Sequence, residues 1–243
     1  PGWSVDVQQR AADGAAIAGD FVSSRLTATE AGPVLDLAVV DVSGNGIEAG
    51  SRALLLSGAV GGLLGSVPPT RLLPEVNAYL RRQRWAVGFA TCAYVRAHLD
   101  TGVIEVRAAG HPPPLLRRAD GAWSQCRSVG TLLGVVDDLT GVPYVGRLEP
   151  GDALIIVTDG VIEDREQPLE YGVARLRAAA DAYLAQRPQA ELGESGPLRA
   201  ADALRDADGL AAALVETVPS RLDDDRAVVV ISRPRLGPVC PAG

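Results

Sequence analysis

The 243-residue chain is 47% hydrophobic and 22% charged, which is ordinary for a globular protein. Its 30 acidic residues exceed its 23 basic residues, and the net charge of −7 argues against a nucleic-acid-binding surface. The longest apolar window, residues 53–67, is too short to cross a bilayer, so we expect no membrane segment. Three cysteines without metal-like spacing indicate a reduced, cytoplasmic protein. Because the sequence contains no methionine, we expect it to be part of a longer polypeptide.

The first half of the chain predicts three strands and then two helices. Alternating or continuous apolar residues indicate the strands, and apolar residues at helical spacing indicate the helices. The predicted strands are residues 3–7, 17–22 and 35–40, and the predicted helices are residues 47–64 and 70–84. A polar loop is expected between the second and third strands.

The second half changes to a period of two and then returns to helical spacing before a last strand. The predicted strands are residues 88–98, 103–109, 115–118, 142–148, 153–158 and 227–232, and the predicted helices are residues 171–186 and 198–217. Helices in two blocks, with strands between and around them, predict an α+β fold with helices packed on antiparallel sheets. We expect one domain over residues 1–233 and a poorly ordered tail over residues 234–243.

The third predicted strand ends on a carboxylate, Asp41, which is costly to bury without a positive partner. No Lys or Arg lies between Arg25 and Arg52, so a bound cation is the simplest partner. Three further aspartates share an apolar strand context, namely Asp20, Asp159 and Asp224.

Four carboxylates without histidine or cysteine suit Mg²⁺ or Mn²⁺ rather than Zn²⁺. Two such ions can activate a bridging water and neutralise a phosphate ester. Taken singly, each aspartate is more simply a turn or cap residue, and Asp159-Gly160 reads as an ordinary turn dipeptide.

Six short motifs in order resemble the SpoIIE-like branch of the metal-dependent type 2C (PPM) protein serine/threonine phosphatases. They are Ala18-Gly19-Asp20-Phe21, Asp41-Val42-Ser43-Gly44-Asn45-Gly46, Phe89-Ala90-Thr91, Ala109-Gly110-His111-Pro112-Pro113, Pro150-Gly151-Asp152 with Thr158-Asp159-Gly160, and Asp224-Asp225. The resemblance implies a four-layer α-β-β-α sandwich with two central, mainly antiparallel sheets and a metal site at one edge between them.

The resemblance also implies a ligand set and a reaction. Asp41 would bridge two Mn²⁺ or Mg²⁺ ions with help from the Val42 carbonyl, and Asp20, Asp159 and Asp224 would complete the site. A water activated by the metals would attack phosphoserine or phosphothreonine without a phospho-enzyme. In bacteria such domains dephosphorylate an anti-sigma-factor antagonist in partner-switching pathways, under the control of attached sensor or regulatory domains, so we expect a phosphorylated protein as the partner.

Three positions depart from the family pattern. Ser23 stands where a second Asp is usual, Asn45 where His is usual, and Ala227 where Thr is usual. None of these changes removes a predicted ligand, but together they leave a second hypothesis open. In that hypothesis the chain is a regulatory or interaction module that keeps the phosphatase fold with little or no activity.

Two other signals have alternative interpretations. Gly44 to Ala49 matches a dinucleotide-binding G-x-G-x-x-A pattern, but the next strand begins too late for a compact βαβ unit. His111 could act as a general acid. The simpler interpretation of His111 is a strand-break residue that is hydrogen-bonded to backbone.

Overall fold

The computed structural model describes residues 2–12, 18–44, 46–83, 85, 88–164, 166–186, 209–217 and 224–233. Its strands are β1 (Ser4–Arg10), β2 (Phe21–Thr29), β3 (Gly32–Val42), β4 (Ala90–His98), β5 (Val103–Ala109), β6 (Leu115–Arg117), β7 (Trp123–Gln125), β8 (Val129–Gly130), β9 (Gly141–Val142), β10 (Tyr144–Arg147), β11 (Ala153–Val157) and β12 (Arg226–Ser232). Its helices are α1 (Gly46–Leu63), α2 (Pro69–Gln83), α3 (Asp159–Ile162), α4 (Leu169–Ala185) and α5 (Leu210–Thr217). None of these helices combines the length and apolar character needed to cross a bilayer.

The strands form two five-stranded sheets. One, the β12 sheet, has the order β1-β12-β11-β6-β7, and the other, the β3 sheet, has the order β10-β5-β4-β3-β2. Neighbouring strands within both sheets pair antiparallel, and β8 and β9 form a separate short ribbon. Since β3 lies between two antiparallel neighbours, it is not part of a parallel βαβ unit of the kind that binds dinucleotides.

Three apolar clusters join these sheets and helices into four layers. The central cluster lies between the sheets and takes Leu37 and Val39 from β3. The second cluster packs the other face of β3, including Val40, against α1 and α2. The third packs the β12 sheet against α3, α4 and α5. This arrangement confirms the predicted α+β fold with two antiparallel sheets inside a four-layer sandwich.

Alternate residues of β3 are therefore buried on opposite faces. Leu35, Leu37 and Val39 face the other sheet, and Ala38 and Val40 face the helices. Burial on both faces explains why this strand reads as a continuous apolar run rather than an alternating one. By the same alternation, Asp41 belongs to the face between the sheets.

The second strand differs from its prediction. It begins at Phe21, after Asp20, and continues to Thr29, so the prediction that Asp20 lies within a strand was wrong and the expected polar loop is mostly strand. The strand lies at the edge of the β3 sheet, where its polar residues are only partly buried. Pairing with β3, rather than an apolar pattern of its own, forms this strand.

Other boundaries changed less. The predicted strand over residues 142–148 is divided into β9 and β10 at Pro143, which cannot donate a backbone hydrogen bond. Strands β7 and β8 were not predicted. Residues 198–208 of the last predicted helix and the predicted tail, residues 234–243, lie outside the described residues.

The packing of α4 on α3 depends on a glycine. A Cβ atom at Gly172 would lie 1.7 Å from the carbonyl oxygen of Ile162, which belongs to backbone and cannot rotate away. We expect Gly172→Ala to lower the free energy of unfolding by about 2 kcal/mol or more, as overpacking does. Urea denaturation measures this change.

Gly58 in α1 is the matched control, because a Cβ atom there meets nothing within 4 Å. We expect Gly58→Ala to raise the free energy of unfolding by about 0.5–1 kcal/mol through helix propensity. Equal effects of the two substitutions would contradict the packing argument.

Candidate metal centre

The four predicted ligands lie at the ends of neighbouring elements. Asp41 is the penultimate residue of β3, and Asp20 immediately precedes β2, which pairs with β3. Asp159 begins α3 directly after β11, and Asp224 lies just before β12, which pairs with β11. Two acids thus come from each sheet.

The electrostatics show that these acids are close together. Burial, followed by the negative charges of Asp159, Asp224 and Asp225, raises the pKa of Asp41 to about 7, while a hydrogen bond with Asp20 acts in the opposite direction. We call these five residues the carboxylate cluster.

Asp20 is the most deeply buried member, with 4% of its surface exposed. Burial and then the charge of Asp41 raise its pKa well above the ordinary value, with smaller contributions from Asp225 and Asp159. Burial and the nearby Glu163 also raise the pKa of Asp159. A divalent cation would relieve both the burial cost and the repulsion, so the donor set fits Mg²⁺ or Mn²⁺.

The cluster is not a preassembled coordination sphere. Among the described residues, no three Asp, Glu, His or Cys side chains have the geometry of a ready-made metal site. The structure therefore gathers the predicted acids at one edge, and their role as ligands stays a prediction.

A buried threonine orients Asp20. The hydroxyl of Thr158 donates a hydrogen bond to Oδ2 of Asp20 at 2.7 Å and accepts one from the backbone N–H of Ala227 at 2.8 Å. The bond from Thr158 favours the ionised form of Asp20 and partly offsets the effects that raise its pKa. This residue thus links β12 to the segment that carries Asp20.

Asp225 is the acid whose role the sequence did not reveal. Its carboxylate accepts hydrogen bonds from the backbone N–H groups of Ala12, at 2.8 Å, and Gly19. A Cβ atom at Gly19 would lie 3.1 Å from this carboxylate and 3.2 Å from the carbonyl oxygen of Val42. Asp225 therefore binds the backbone of the residue immediately before Asp20, and the absence of a side chain at Gly19 permits the close contact.

Gly160 also permits a close contact with Asp225, in this case with its backbone rather than its carboxylate. It lies inside α3 rather than in a turn, which corrects the reading of Asp159-Gly160 as a turn dipeptide. A Cβ atom there would lie 2.1 Å from the carbonyl oxygen of Asp225. The glycine lets the backbone of the Asp224-Asp225 pair approach Asp159. The only sequence signal for this contact was the position of the glycine next to a candidate ligand.

The family model for stage II sporulation protein E (SpoIIE) matches residues 32–234. The chain belongs to the SpoIIE family. The match covers most of the chain and includes Asp41, Asp159 and Asp224, whereas Asp20 lies before it. The family predicted from the motifs is confirmed.

Individual relatives agree with this SpoIIE-family assignment. Phosphoserine phosphatase RsbU from Bacillus subtilis (strain 168) is 26% identical over 135 residues, which is 55% of this chain and 40% of RsbU. The structure of the RsbU and RsbW domains of Rv1364c from Mycobacterium tuberculosis has a TM-score of 0.74 and 26% identity, covering 98% of this chain and 62% of that one.

The PP2C phosphatase domain of SpoIIE from Bacillus subtilis, solved with a fragment of its regulatory domain, has a TM-score of 0.68 and 19% identity. The match covers 97% of this chain and 64% of the SpoIIE chain, and at 19% identity it shows that the two share a fold. The present chain thus spans less than two thirds of the length of each of these three relatives.

Two of the three positions that depart from the family pattern lie among the described residues. Ser23 lies in β2 opposite Ala38 and three residues after Asp20. Ala227 is fully buried and supplies its backbone N–H to Thr158. Asn45 lies outside the described residues. The hydrogen bond from Thr158 to Asp20 therefore forms without the usual side chain at position 227.

The raised pKa of Asp41 predicts how the metal-free protein responds to pH. The folded-state value of about 7 exceeds the ordinary value of 3.8, so between these limits the folded state binds more protons than the unfolded state. Hence the free energy of unfolding contributed by this group falls as pH rises from about 4 to 7.

In EDTA at pH 7.5, Asp41→Asn should raise the Tm by about 2–4 °C, which is about 1 kcal/mol for a domain of this size. It should also abolish most of the rise in Tm that Mn²⁺ produces in the wild type.

Asp152 provides the matched control. It is buried, but Arg118 and the backbone N–H groups of Ala119 and Glu149 bind its carboxylate. Asp152→Asn should therefore lower the Tm equally with and without Mn²⁺. A lower Tm for Asp41→Asn in EDTA would contradict the electrostatic argument.

Proposed function

We propose that this chain is a metal-dependent protein phosphatase that hydrolyses phosphoserine or phosphothreonine. The observation that carries the proposal is the carboxylate cluster, in which buried acids raise one another's pKa at the edge of a SpoIIE-family sandwich. RsbU is named a phosphoserine phosphatase, and RsbX, a structural neighbour with a TM-score of 0.62, was solved in complex with magnesium.

The chain's own residues would build the site in a defined way. Asp41 with the Val42 carbonyl, together with Asp20, Asp159 and Asp224, would hold two Mn²⁺ or Mg²⁺ ions, which supply Lewis acidity toward water and the phosphate ester. Thr158 fixes the orientation of Asp20. Asp225 holds the backbone of the Asp20 segment. Burial of Asp20 and partial burial of Asp41 and Asp159 strengthen the attraction of these carboxylates for a cation.

Neither described cysteine is suited to form a covalent phospho-enzyme. Cys92 is buried, and burial raises its pKa to about 12. Burial likewise raises the pKa of Cys126 to about 11. Both thiols are protonated at neutral pH and are therefore poor nucleophiles. This argues against a phospho-cysteine intermediate and is consistent with direct attack by water on the phosphorus atom.

The substrate in this proposal is a phosphorylated protein, specifically an anti-sigma-factor antagonist in a bacterial partner-switching pathway. Its support is the similarity to RsbU and to the linked RsbU and RsbW domains of Rv1364c. Because this chain spans only 40% of RsbU and 62% of that Mycobacterium tuberculosis chain, attached sensor or regulatory domains are part of the proposal.

A second candidate function is a regulatory module that retains the fold with little or no activity. The observation that favours it is the lack, within the described residues, of three ligands already in metal-binding geometry. A module of this kind need not bind two cations. Metal titration therefore separates the two candidates.

Hydrolysis of p-nitrophenyl phosphate tests the proposed activity. After EDTA treatment, the wild type should regain turnover with Mn²⁺, and Asp159→Asn and Asp41→Ala should each lower kcat/KM by about 100-fold or more, because each loses a charged ligand. Asp181→Asn is the control, since Asp181 lies in the second half of α4 and its carboxylate pairs with Arg117 and Trp123. Turnover that persists in Asp41→Ala would refute the metal site, and no turnover at any Mn²⁺ concentration would favour the regulatory module.

A further inference from the structure

His111 is buried between the two sheets at the edge that carries the carboxylate cluster. Only 5% of its surface is exposed, and burial lowers its pKa to about 4, so the imidazole is neutral at physiological pH. Its Nδ1 atom lies 2.7 Å from the hydroxyl oxygen of Thr91. A neutral ring in this position is a poor general acid, and its side-chain partner, Thr91, is additional to the backbone interaction expected from the sequence.

Thr91 connects the imidazole to the β3 sheet beside a predicted ligand. In the register of β3 and β4, Thr91 is the residue directly opposite Asp41. Side chains of directly opposed residues lie on the same face of an antiparallel pair. Alternation along β4 places Thr91 on the face of Ala93 and Val95, which pack between the sheets.

The segment that carries His111 leads from β5 of the β3 sheet to β6 of the β12 sheet. The backbone of Val157 interacts with the imidazole and partly opposes the effect of burial on the pKa of His111. Val157 ends β11, immediately before Thr158, which binds Asp20, and two residues before Asp159. Within the described residues, Nε2 of His111 makes no hydrogen bond of normal geometry.

The backbone around His111 is held in place. Gly110 has a φ of +65° and forms a bridge with Cys92 of β4, and its N–H donates to the carbonyl oxygen of Gly130. On the other side, the carbonyl oxygen of Pro114 accepts a hydrogen bond from the N–H of Cys126. The ring therefore stands on a fixed segment and can act as a spacer between the sheets.

We propose that His111 is a positioning residue that couples the strand end bearing Asp41, through Thr91, to the strand end bearing Asp159, through the backbone of Val157. It sets the separation of the two sheets where the carboxylates must converge on the cations. This inference rests on the proposed phosphatase function. Residues that orient metal ligands without binding the metal commonly change metal affinity by about 10–100-fold when they are substituted, and His111 would act in this way through Thr91.

Mn²⁺ affinity, measured by calorimetric titration of the chain at pH 7.5, tests this inference. His111→Phe keeps the ring volume without its nitrogen atoms, and Thr91→Val keeps the shape of Thr91 without its hydroxyl. Each should weaken Mn²⁺ binding by about 10-fold or more. His111→Gln and Thr91→Ser retain hydrogen-bonding groups and should stay within about 3-fold of the wild type. The double variant of His111→Phe and Thr91→Val should lose no more than His111→Phe alone, because the two residues share one hydrogen bond.

His98, at the other end of β4, provides the control, and His98→Gln should bind Mn²⁺ like the wild type. Thermal unfolding in EDTA gives the readout of folding. If His111→Phe and Thr91→Val lower the Tm in EDTA but bind Mn²⁺ like the wild type, the role is purely structural and the inference fails. If His111→Phe does not fold, the difference in Mn²⁺ affinity between Thr91→Val and Thr91→Ser decides whether the inference holds. A wild type that binds no Mn²⁺ would refute the proposed function and this inference together.

Discussion

Mutual repulsion among buried carboxylates is the constraint on which the rest of the site depends. Asp20 and Asp41 are largely removed from water and lie near other acids, which disfavours their charged forms. Asp36 and Asp152 are also buried, but each of these lies beside an arginine. The fold thus places a positive charge beside each of these two acids, whereas the acids at one edge are suited to an external cation.

Holding repelling groups together requires a rigid frame, and the two-sheet sandwich provides it. Strand β3 is buried on both faces, so its end at Asp41 cannot move without disturbing two apolar clusters. Hydrogen bonds then fix the remaining acids. Thr158 binds Asp20, and Asp225 binds the backbone of the preceding segment at Gly19.

Two glycines and one histidine make the edge compact. Gly19 and Gly160 let backbone and carboxylate groups approach more closely than a Cβ atom would allow. His111 spans the remaining gap between the sheets as a neutral ring. In the proposed enzyme, each of these three residues would set the distance between strand ends that arise far apart in the chain.

The sequence alone determined the order of most strands and helices, the buried strand that carries Asp41 near its end, and the candidate acids Asp20, Asp159 and Asp224. These features follow from local apolar periodicity and from motifs that lie within a few residues. Only the tertiary structure decided the length of β2, the bonds of Asp225 and the contact of His111 with Thr91. These depend on pairing between distant segments, and a local pattern contains no information about which distant backbone or side chain will complete a hydrogen bond.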